Sequence, residues 1–178
     1  FFFKQKTAYE ITYGDWSSDV CSSDLDWAET TAKSCLGFII FLNNCPLLWL
    51  SQLLSKISLS TLEAKYSALS KAMCMMILFR ALLLEITSVL ELNYNLPATI
   101  RCTVFEDNNG AYLLATNQKI TSRTKYYAVK WHHFWSQVYP KGPFRVEKIS
   151  TTMQHADYLT KGLPREVFEF IRKLNQGW

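Results

Sequence analysis

The chain has 178 residues, of which 49% are hydrophobic and 15% aromatic, so it carries enough apolar material for one well-packed domain. This composition excludes whole-chain disorder, and the net charge of +4 is compatible with a polyanionic partner. The five cysteines are odd in number and form no C-x-x-C pair, which predicts free thiols instead of a disulfide frame or a zinc site. The longest apolar run, Ala72 to Phe79, falls far short of a membrane span.

Residues 1–25 differ from the rest of the chain, because they are rich in Ser, Asp and Thr and show no clear period for a helix or a strand. The KQKTAYEI and WSSDVCSSDL pieces resemble translated sequencing-adapter sequence; the alternative is an ordinary flexible terminus. We therefore predict that residues 1–23 are non-native or disordered and that the domain spans residues 24–178. Native sequence is expected to start near Asp26.

The first part of this domain predicts a β-hairpin. Cys35 to Leu42 is short, aromatic and β-branched, as strands are, and Asn43-Asn44 is a turn signal. A second strand begins at Cys45, where Pro46 fits the start of a strand or the edge of a sheet.

From Ser60 onward the period changes to that of a helix, which Ser60 or Thr61 can cap and which runs to about Ile86. Strands and helices then alternate, which predicts an α/β domain with a mixed sheet flanked by helices. In chain order these elements are a strand over Ala98–Glu106, a helix over Asn108–Thr116, a helix over about Tyr126–Tyr139, a strand over Phe144–Ile149, helical residues Gln154–Thr160, and a last helix over Arg165–Leu174 with Pro164 as its first position.

Asp107 is the first candidate for chemistry. It follows a short strand and precedes a helix for which Asn108 is a suitable N-cap. Open α/β sheets place reactive groups at this end of a strand, so a catalytic role is one interpretation. Capping of the helix is the other, because Asp is a common capping residue.

Five motifs then occur in one order along the chain. They are Asp26-Trp-Ala28, Leu62-Glu-Ala-Lys-Tyr-Ser-Ala-Leu69, Phe105-Glu-Asp-Asn-Asn109, Ser122-Arg-Thr-Lys125 and Gln154-His-Ala-Asp-Tyr-Leu-Thr-Lys161. Together they resemble the ribonuclease H domain at the C-terminal end of the polyprotein of copia-type LTR retrotransposons. Each motif alone is weak, but five in this order at fitting spacings are specific.

The resemblance implies a ribonuclease H-like fold, with a five-stranded mixed sheet flanked by helices, whose first strand is here replaced or disordered. It also implies hydrolysis of RNA in RNA–DNA hybrids by two Mg²⁺ ions held by carboxylates. Mg²⁺ prefers oxygen ligands, and two such ions about 4 Å apart can activate water and stabilise the leaving oxygen. The implied partners are the hybrid and the reverse transcriptase portion of the same polyprotein, with no membrane. The implied location is intracellular, in the cytoplasm as part of a virus-like particle or in the nucleus.

Carried over from the family, the catalytic and metal-binding acids fall on Asp107, Asp157 and Asp24. Asp157 lies in the family's Ala-Asp-x-x-Thr-Lys segment and would sit on the final helix; a solvated helix acid is the alternative. If residues 1–25 are adapter sequence, Asp24 is itself foreign and matches only by accident of register. The remaining metal ligand is normally a Glu, and Lys65 stands in its place. A protonated lysine offers no lone pair to Mg²⁺ but can lie across a carboxylate cluster in the ion's stead.

The nucleic-acid-binding residues implied by the resemblance are Arg123, Lys125 and Lys161. For Arg123 and Lys125, a solvated turn is an equally good interpretation. His132 and His133 point about 100° apart if they lie on a helix, so packing is favoured over a shared metal.

The sequence therefore predicts a retrotransposon ribonuclease H-type endonuclease that is impaired or inactive because of Lys65. The alternatives are a nucleic-acid-binding remnant without catalysis and a non-functional fragment.

Overall fold

A computed structural model of the chain describes residues 15–22, 34–55, 57–58, 60–90, 100–122, 124–125, 127, 129–160 and 162–177, with the backbone alone for residues 15–22, 129 and 130. Its five strands are β1 (Asp15–Ser22), β2 (Cys35–Leu42), β3 (Cys45–Leu53), β4 (Arg101–Glu106) and β5 (Phe144–Lys148). Its α-helices are α1 (Thr61–Val89), α2 (Asn109–Asn117) and α3 (Arg165–Gln176). Short 3₁₀ segments span Val129–His132, Trp135–Gln137, Thr151–Met153 and His155–Leu159.

The predicted hairpin is confirmed. β2 and β3 pair antiparallel through a turn in which Asn43 (φ 51°) and Asn44 (φ 63°) both adopt the left-handed conformation. Asparagine tolerates this conformation, and two such residues in a row match the twist of a two-residue hairpin. Pro46 has no N–H to donate, and β3 is an edge strand of the sheet, where a missing donor does not interrupt pairing between central strands.

The centre of the sheet is β1, which is formed by residues that the sequence analysis placed before the domain; the first strand is therefore present as a replaced segment and not missing. The strand order is β3-β2-β1-β4-β5, with β1 antiparallel to β2 and parallel to β4. β1 lies almost wholly within the adapter-like piece WSSDVCSSDL. Backbone ladders require an extended chain and tolerate many sequences, which explains how such a segment fills this position. Its foreign origin, and the boundary at residue 24, stay predictions.

Helix α1 begins where the sequence indicated, because the Ser60 side chain accepts a hydrogen bond from the Glu63 amide at 3.1 Å. Its first half packs on the sheet through buried residues that include Tyr66, Leu69 and Met73, whereas Leu78, Leu82 and Val89 near its end are exposed. Unlike the run Ala72–Phe79 alone, the whole helix is long and apolar enough to cross a membrane by length and composition. The core helix of a soluble protein can meet the same criterion, so this is weak support for a membrane.

Both faces of the sheet are covered. On one face α1 and α2 enclose a core around Phe38, Tyr66, Val104 and Phe144. On the other, Ile39 and Phe41 of β2 pack against the 155–159 segment. Alternate side chains of β2 therefore enter opposite cores, which explains why this strand is apolar throughout.

The predicted helix over Tyr126–Tyr139 is wrong. The structure has two separate 3₁₀ segments there, joined at Phe134. Side chains that are distant in sequence bind this region: Gln118 Nε2 donates to the Trp135 carbonyl at 2.7 Å, and the Trp135 indole donates to the Tyr66 hydroxyl at 2.8 Å. The predicted helical residues Gln154–Thr160 also form a 3₁₀ segment, and Pro164 is the N-cap of α3, not its first position.

Candidate active site at the end of the parallel strands

Strands β1, β4 and β5 run parallel, so their carboxyl ends meet at one edge of the sheet. Asp107 follows β4 at this edge. The next residue, Asn108, is the N-cap of α2, as predicted, and its side chain accepts from the Ala111 amide at 3.0 Å. Asp107 is therefore not the capping residue, and its carboxylate is available for other contacts.

The Asp107 carboxylate forms an ion pair with Lys65. Lys65 Nζ lies 2.6 Å from Asp107 Oδ1, and the two side chains are only 5% and 4% exposed. Lys65 is on the sheet-facing first half of α1, one turn after the Ser60 cap, so the helix start fixes its position. Charges buried to this degree depend on each other, because neither has enough contact with water to be stabilised alone.

Glu106 lies directly beside this pair and is fully buried. Its Oε1 accepts from the Asn108 amide at 3.0 Å, while Oε2 has no partner of hydrogen-bond geometry among the described residues. Burial raises the pKa of Glu106 well above its usual range; the Asn108 amide and Lys65 oppose this shift, whereas Asp107 adds to it. Its surroundings therefore favour the protonated form of Glu106, next to a charged pair.

Glu106 was not among the predicted site residues, although the sequence carries a signal for it. Successive side chains of a strand alternate between faces, and Cys102 and Val104 are the buried positions of β4. Glu106 has the same parity, so the alternation alone places this acid on the buried face.

The rim of the site carries a cation from β5. Lys148 Nζ donates to the Asn109 side chain at 3.2 Å, and the Ile149 amide donates to the Glu106 carbonyl at 3.2 Å. The end of β5 is thereby joined to the start of α2. The exposed Lys148 ammonium therefore lies beside Asn109, which follows Asp107 by two residues in the chain.

Asp157 is buried, but it does not sit on the final helix as the resemblance implied. It belongs to the 3₁₀ segment His155–Leu159, which precedes α3 and packs on β1 and β2. The Asp157 amide and carbonyl are part of this turn, with the carbonyl accepting from the Thr160 amide at 3.0 Å.

The other predicted site residues are less informative. Asp24, Arg123 and Lys161 lie outside the described residues. Lys125 is exposed, as a phosphate contact or a solvated turn residue would be. His132 packs as favoured: its Nδ1 lies 2.8 Å from the Tyr66 hydroxyl, and its ring lies 4.2 Å from that of Trp135.

Among the residues whose side chains the structure describes, the donor set does not fit a divalent metal. Within the described part of the chain, no group of three or more His, Cys, Asp or Glu side chains could hold an ion. At Asp107, the Lys65 ammonium already neutralises the carboxylate. A like charge at this distance opposes a second cation, so the arrangement favours a closed ion pair over a metal centre.

No protein-family model matches the chain. It is 35% identical over 155 residues to the retrovirus-related Pol polyprotein from transposon RE2 of Arabidopsis thaliana, 34% over 149 residues to that from transposon RE1 of the same plant, and 31% over 142 residues to that from transposon TNT 1-94 of Nicotiana tabacum. These matches cover 85%, 83% and 80% of this chain but only 10% of each polyprotein.

Among solved structures, the chain is similar to the N-terminal ribonuclease H domain of a Mycobacterium tuberculosis protein, solved as a fusion with maltose-binding protein. The TM-score is 0.53 at 10% sequence identity, covering 90% of this chain and 97% of the other. Because the sequence identity is so low, this likeness bears on the fold alone.

Proposed function

Because the chain is a ribonuclease H-like domain homologous to a segment of the retrovirus-related Pol polyproteins of plant transposons, we propose that it acts on RNA–DNA hybrids within such a polyprotein and that Lys65 has silenced its hydrolytic centre. The domain retains the sheet edge that would present acids to a hybrid. It has lost the charge balance that hydrolysis requires.

The observation that carries this proposal is the buried pair between Lys65 Nζ and Asp107 Oδ1, 2.6 Å apart. Replacing a carboxylate with an ammonium changes the local charge from −1 to +1 and removes the lone pairs that bind a hard cation. The same ammonium stabilises the remaining acid. The site is therefore stable without a metal, whereas a carboxylate cluster would need one to offset its own repulsion.

In an active relative of this fold, two Mg²⁺ ions held by the acids would supply the water activation and the leaving-group stabilisation. In this chain Asp107, Asp157 and Asp24 are the proposed remaining ligands, and Lys65 is the degenerate position. Because the Asp107 carboxylate is paired to Lys65, no metal-dependent step is assigned to this site.

The proposed phosphate contacts are Arg123, Lys125 and Lys161. The net charge of +4 agrees with a polyanionic partner. The reverse transcriptase portion of the polyprotein is the proposed neighbour in the chain, since the domain spans a tenth of its curated relatives. An intracellular location, in the cytoplasm or the nucleus, and the absence of a membrane partner follow from the same proposal.

The test is cleavage of a labelled RNA strand in an RNA–DNA hybrid, with Mg²⁺, by the full chain and three variants. Lys65→Glu restores a carboxylate at the site, Lys65→Gln removes the charge without adding a ligand, and Lys71→Glu makes the same charge change at an exposed position of α1. We expect cleavage from Lys65→Glu alone, because only this variant supplies the missing ligand.

Cleavage by the unaltered chain would overturn the silencing role of Lys65. Hybrid binding is measured on the same samples and is expected to weaken steeply with salt. If no variant cleaves but all bind the hybrid, the chain is a binding remnant whose lesion extends beyond Lys65. If none binds, the chain is a non-functional fragment.

A further inference from the structure

A second polar cluster lies on helix α1, away from the Lys65–Asp107 pair. Ser70 and Cys74 are four residues apart, so they occupy the same face of the helix on successive turns. His133 approaches them from the segment between the two 3₁₀ turns. Its Nδ1 lies 3.4 Å from Ser70 Oγ, and its Nε2 lies 3.2 Å from Cys74 Sγ.

The imidazole is held in a defined orientation by these contacts. Ser70 is buried, and its hydroxyl oxygen can accept a hydrogen bond from His133 Nδ1. In that tautomer Nε2 is an acceptor toward the Cys74 thiol. The edge of the Phe134 ring packs against His133, with ring centroids 5.6 Å apart. A thiol, a base and a residue that orients the base are the parts of an activated nucleophile.

The thiol is accessible and faces a cavity. Cys74 is exposed, and the cavity that it lines has a volume of about 340 Å³. Leu36, Leu54, Ile57 and Trp131 form its apolar wall, and Glu63, Lys71 and several serines line the remainder, so it suits a small molecule with an apolar body and a polar group.

We propose that Cys74 is a nucleophilic thiol, with His133 as its base, that adds to small α,β-unsaturated carbonyl compounds bound in this cavity. Cys74 Sγ forms a bond to the β-carbon while the carbon–carbon π bond breaks. The thiol proton passes to His133 Nε2 and then to the α-carbon, so no leaving group and no oxidant are needed. Ser70 is a positioning residue for the imidazole. This site is independent of hybrid recognition.

The chain carries its own reference thiols. Cys45 is exposed on the edge strand β3 and has no hydrogen-bonded histidine among the described residues, so it reports the reactivity of an ordinary surface thiol. Cys102 is buried, and burial raises its pKa to about 12, so it reports unfolding if it becomes labelled.

The experiment treats the full chain with a limiting amount of N-ethylmaleimide and measures the labelling rate of each cysteine by peptide mass spectrometry. We expect Cys74 to react at least about tenfold faster than Cys45. His133→Gln should reduce the Cys74 rate to that of Cys45, Ser70→Ala should reduce it in part, and neither should change Cys45. Equal rates in the unaltered chain, or no effect of His133→Gln, would overturn the proposal.

A second comparison needs no variant. If the cavity holds the apolar body of the electrophile, changing N-ethylmaleimide to N-phenylmaleimide should raise the rate at Cys74 more than at Cys45. An equal change at both thiols would refute the role of the cavity. This comparison decides the matter even if labelling of Cys102 shows that His133→Gln unfolds the protein.

Discussion

Lys65 and Asp107 are 42 residues apart in sequence, yet their side chains form one buried ion pair. Removing one partner of such a pair typically costs about 3–5 kcal/mol, because it leaves an uncompensated buried charge. Lys65 therefore stabilises the folded domain as well as causing its proposed loss of hydrolytic activity. A reversion to glutamate must find a compensating cation, and Mg²⁺ is the cation that the assay of Lys65→Glu provides.

At Glu106 the raised pKa predicts a fall of stability with increasing pH. Below the pKa of the unfolded state, about 4.3, both states are protonated and the residue has no effect on the pH dependence. Above it the unfolded state ionises while the folded state keeps its proton, so stability is lost until the folded-state pKa is passed. Glu106→Gln, which stays neutral, should be the more stable form at pH 7.5, by about 1–3 kcal/mol.

Urea denaturation between pH 5 and pH 8.5 measures this effect. Glu147→Gln is the matched control, since Glu147 is an exposed acid on the neighbouring strand β5. Parallel pH curves for the unaltered chain and Glu106→Gln would show that Glu106 is ionised in the folded state.

At the scale of elements, the features predicted correctly depend on neighbours in the sequence. The Asn43-Asn44 turn, the Ser60 and Asn108 caps and the strands β2, β4 and β5 arise from local conformational preference and periodicity. The segment from 126 to 139 does not. Its described residues 129–139 contact Tyr66 and Gln118, which are distant in sequence and invisible to a local pattern.

The candidate site, like the secondary structure, was predictable only where the signal is local in the sequence or lies in a family motif. Asp107 was recognisable at the end of a strand, and Lys65 was recognisable from the family motif. The burial of Glu106 follows from the alternation of side chains along β4. The 3₁₀ geometry around Asp157 had no signal in the sequence, because one short turn supports either helix type.

At Gly37, β2 lies close to the end of the segment that carries Asp157. A Cβ on Gly37 would lie 2.5 Å from Thr160 Cγ2 and 3.1 Å from Leu159 Cβ. Gly37→Ala should therefore push the segment that carries Asp157 off the sheet and lower the free energy of unfolding by about 1–3 kcal/mol.

Thermal unfolding measures this loss, with Gly162→Ala as the control, because a Cβ at Gly162 meets nothing within 4 Å. A Gly37→Ala variant as stable as Gly162→Ala would mean that the segment moves away from β2 without cost.

On the scale of the whole molecule, β1 joins two halves that otherwise share no strand ladder. The β2–β3 hairpin lies on one side of it and the β4–β5 pair on the other. The helices lie across both halves, but the backbone pairing between the halves passes through β1 alone in the described sheet.

Deletion of residues 1–22 should therefore abolish cooperative unfolding, since it exposes unpaired edges on β2 and β4. Deletion of residues 1–14, which leaves β1 intact, is the matched control and should retain a sharp thermal transition. Circular dichroism during heating distinguishes the two. A sharp transition in the longer deletion would show that another segment replaces β1 or that the sheet does without it.

A chain without β1 would have a gap at the centre of its sheet, between β2 and β4. The N–H and C=O groups of β2 and β4 would face each other across a slot one strand wide. A strand in this slot would run antiparallel to β2 and parallel to β4, as β1 does. Backbone hydrogen bonds require an added strand to be extended and to run in the right direction, but they depend little on its side chains. An unrelated peptide can therefore occupy such a slot. The same property makes the domain a potential recipient for strands supplied in trans, and it means that pairing at its centre carries little information about which sequence belongs there.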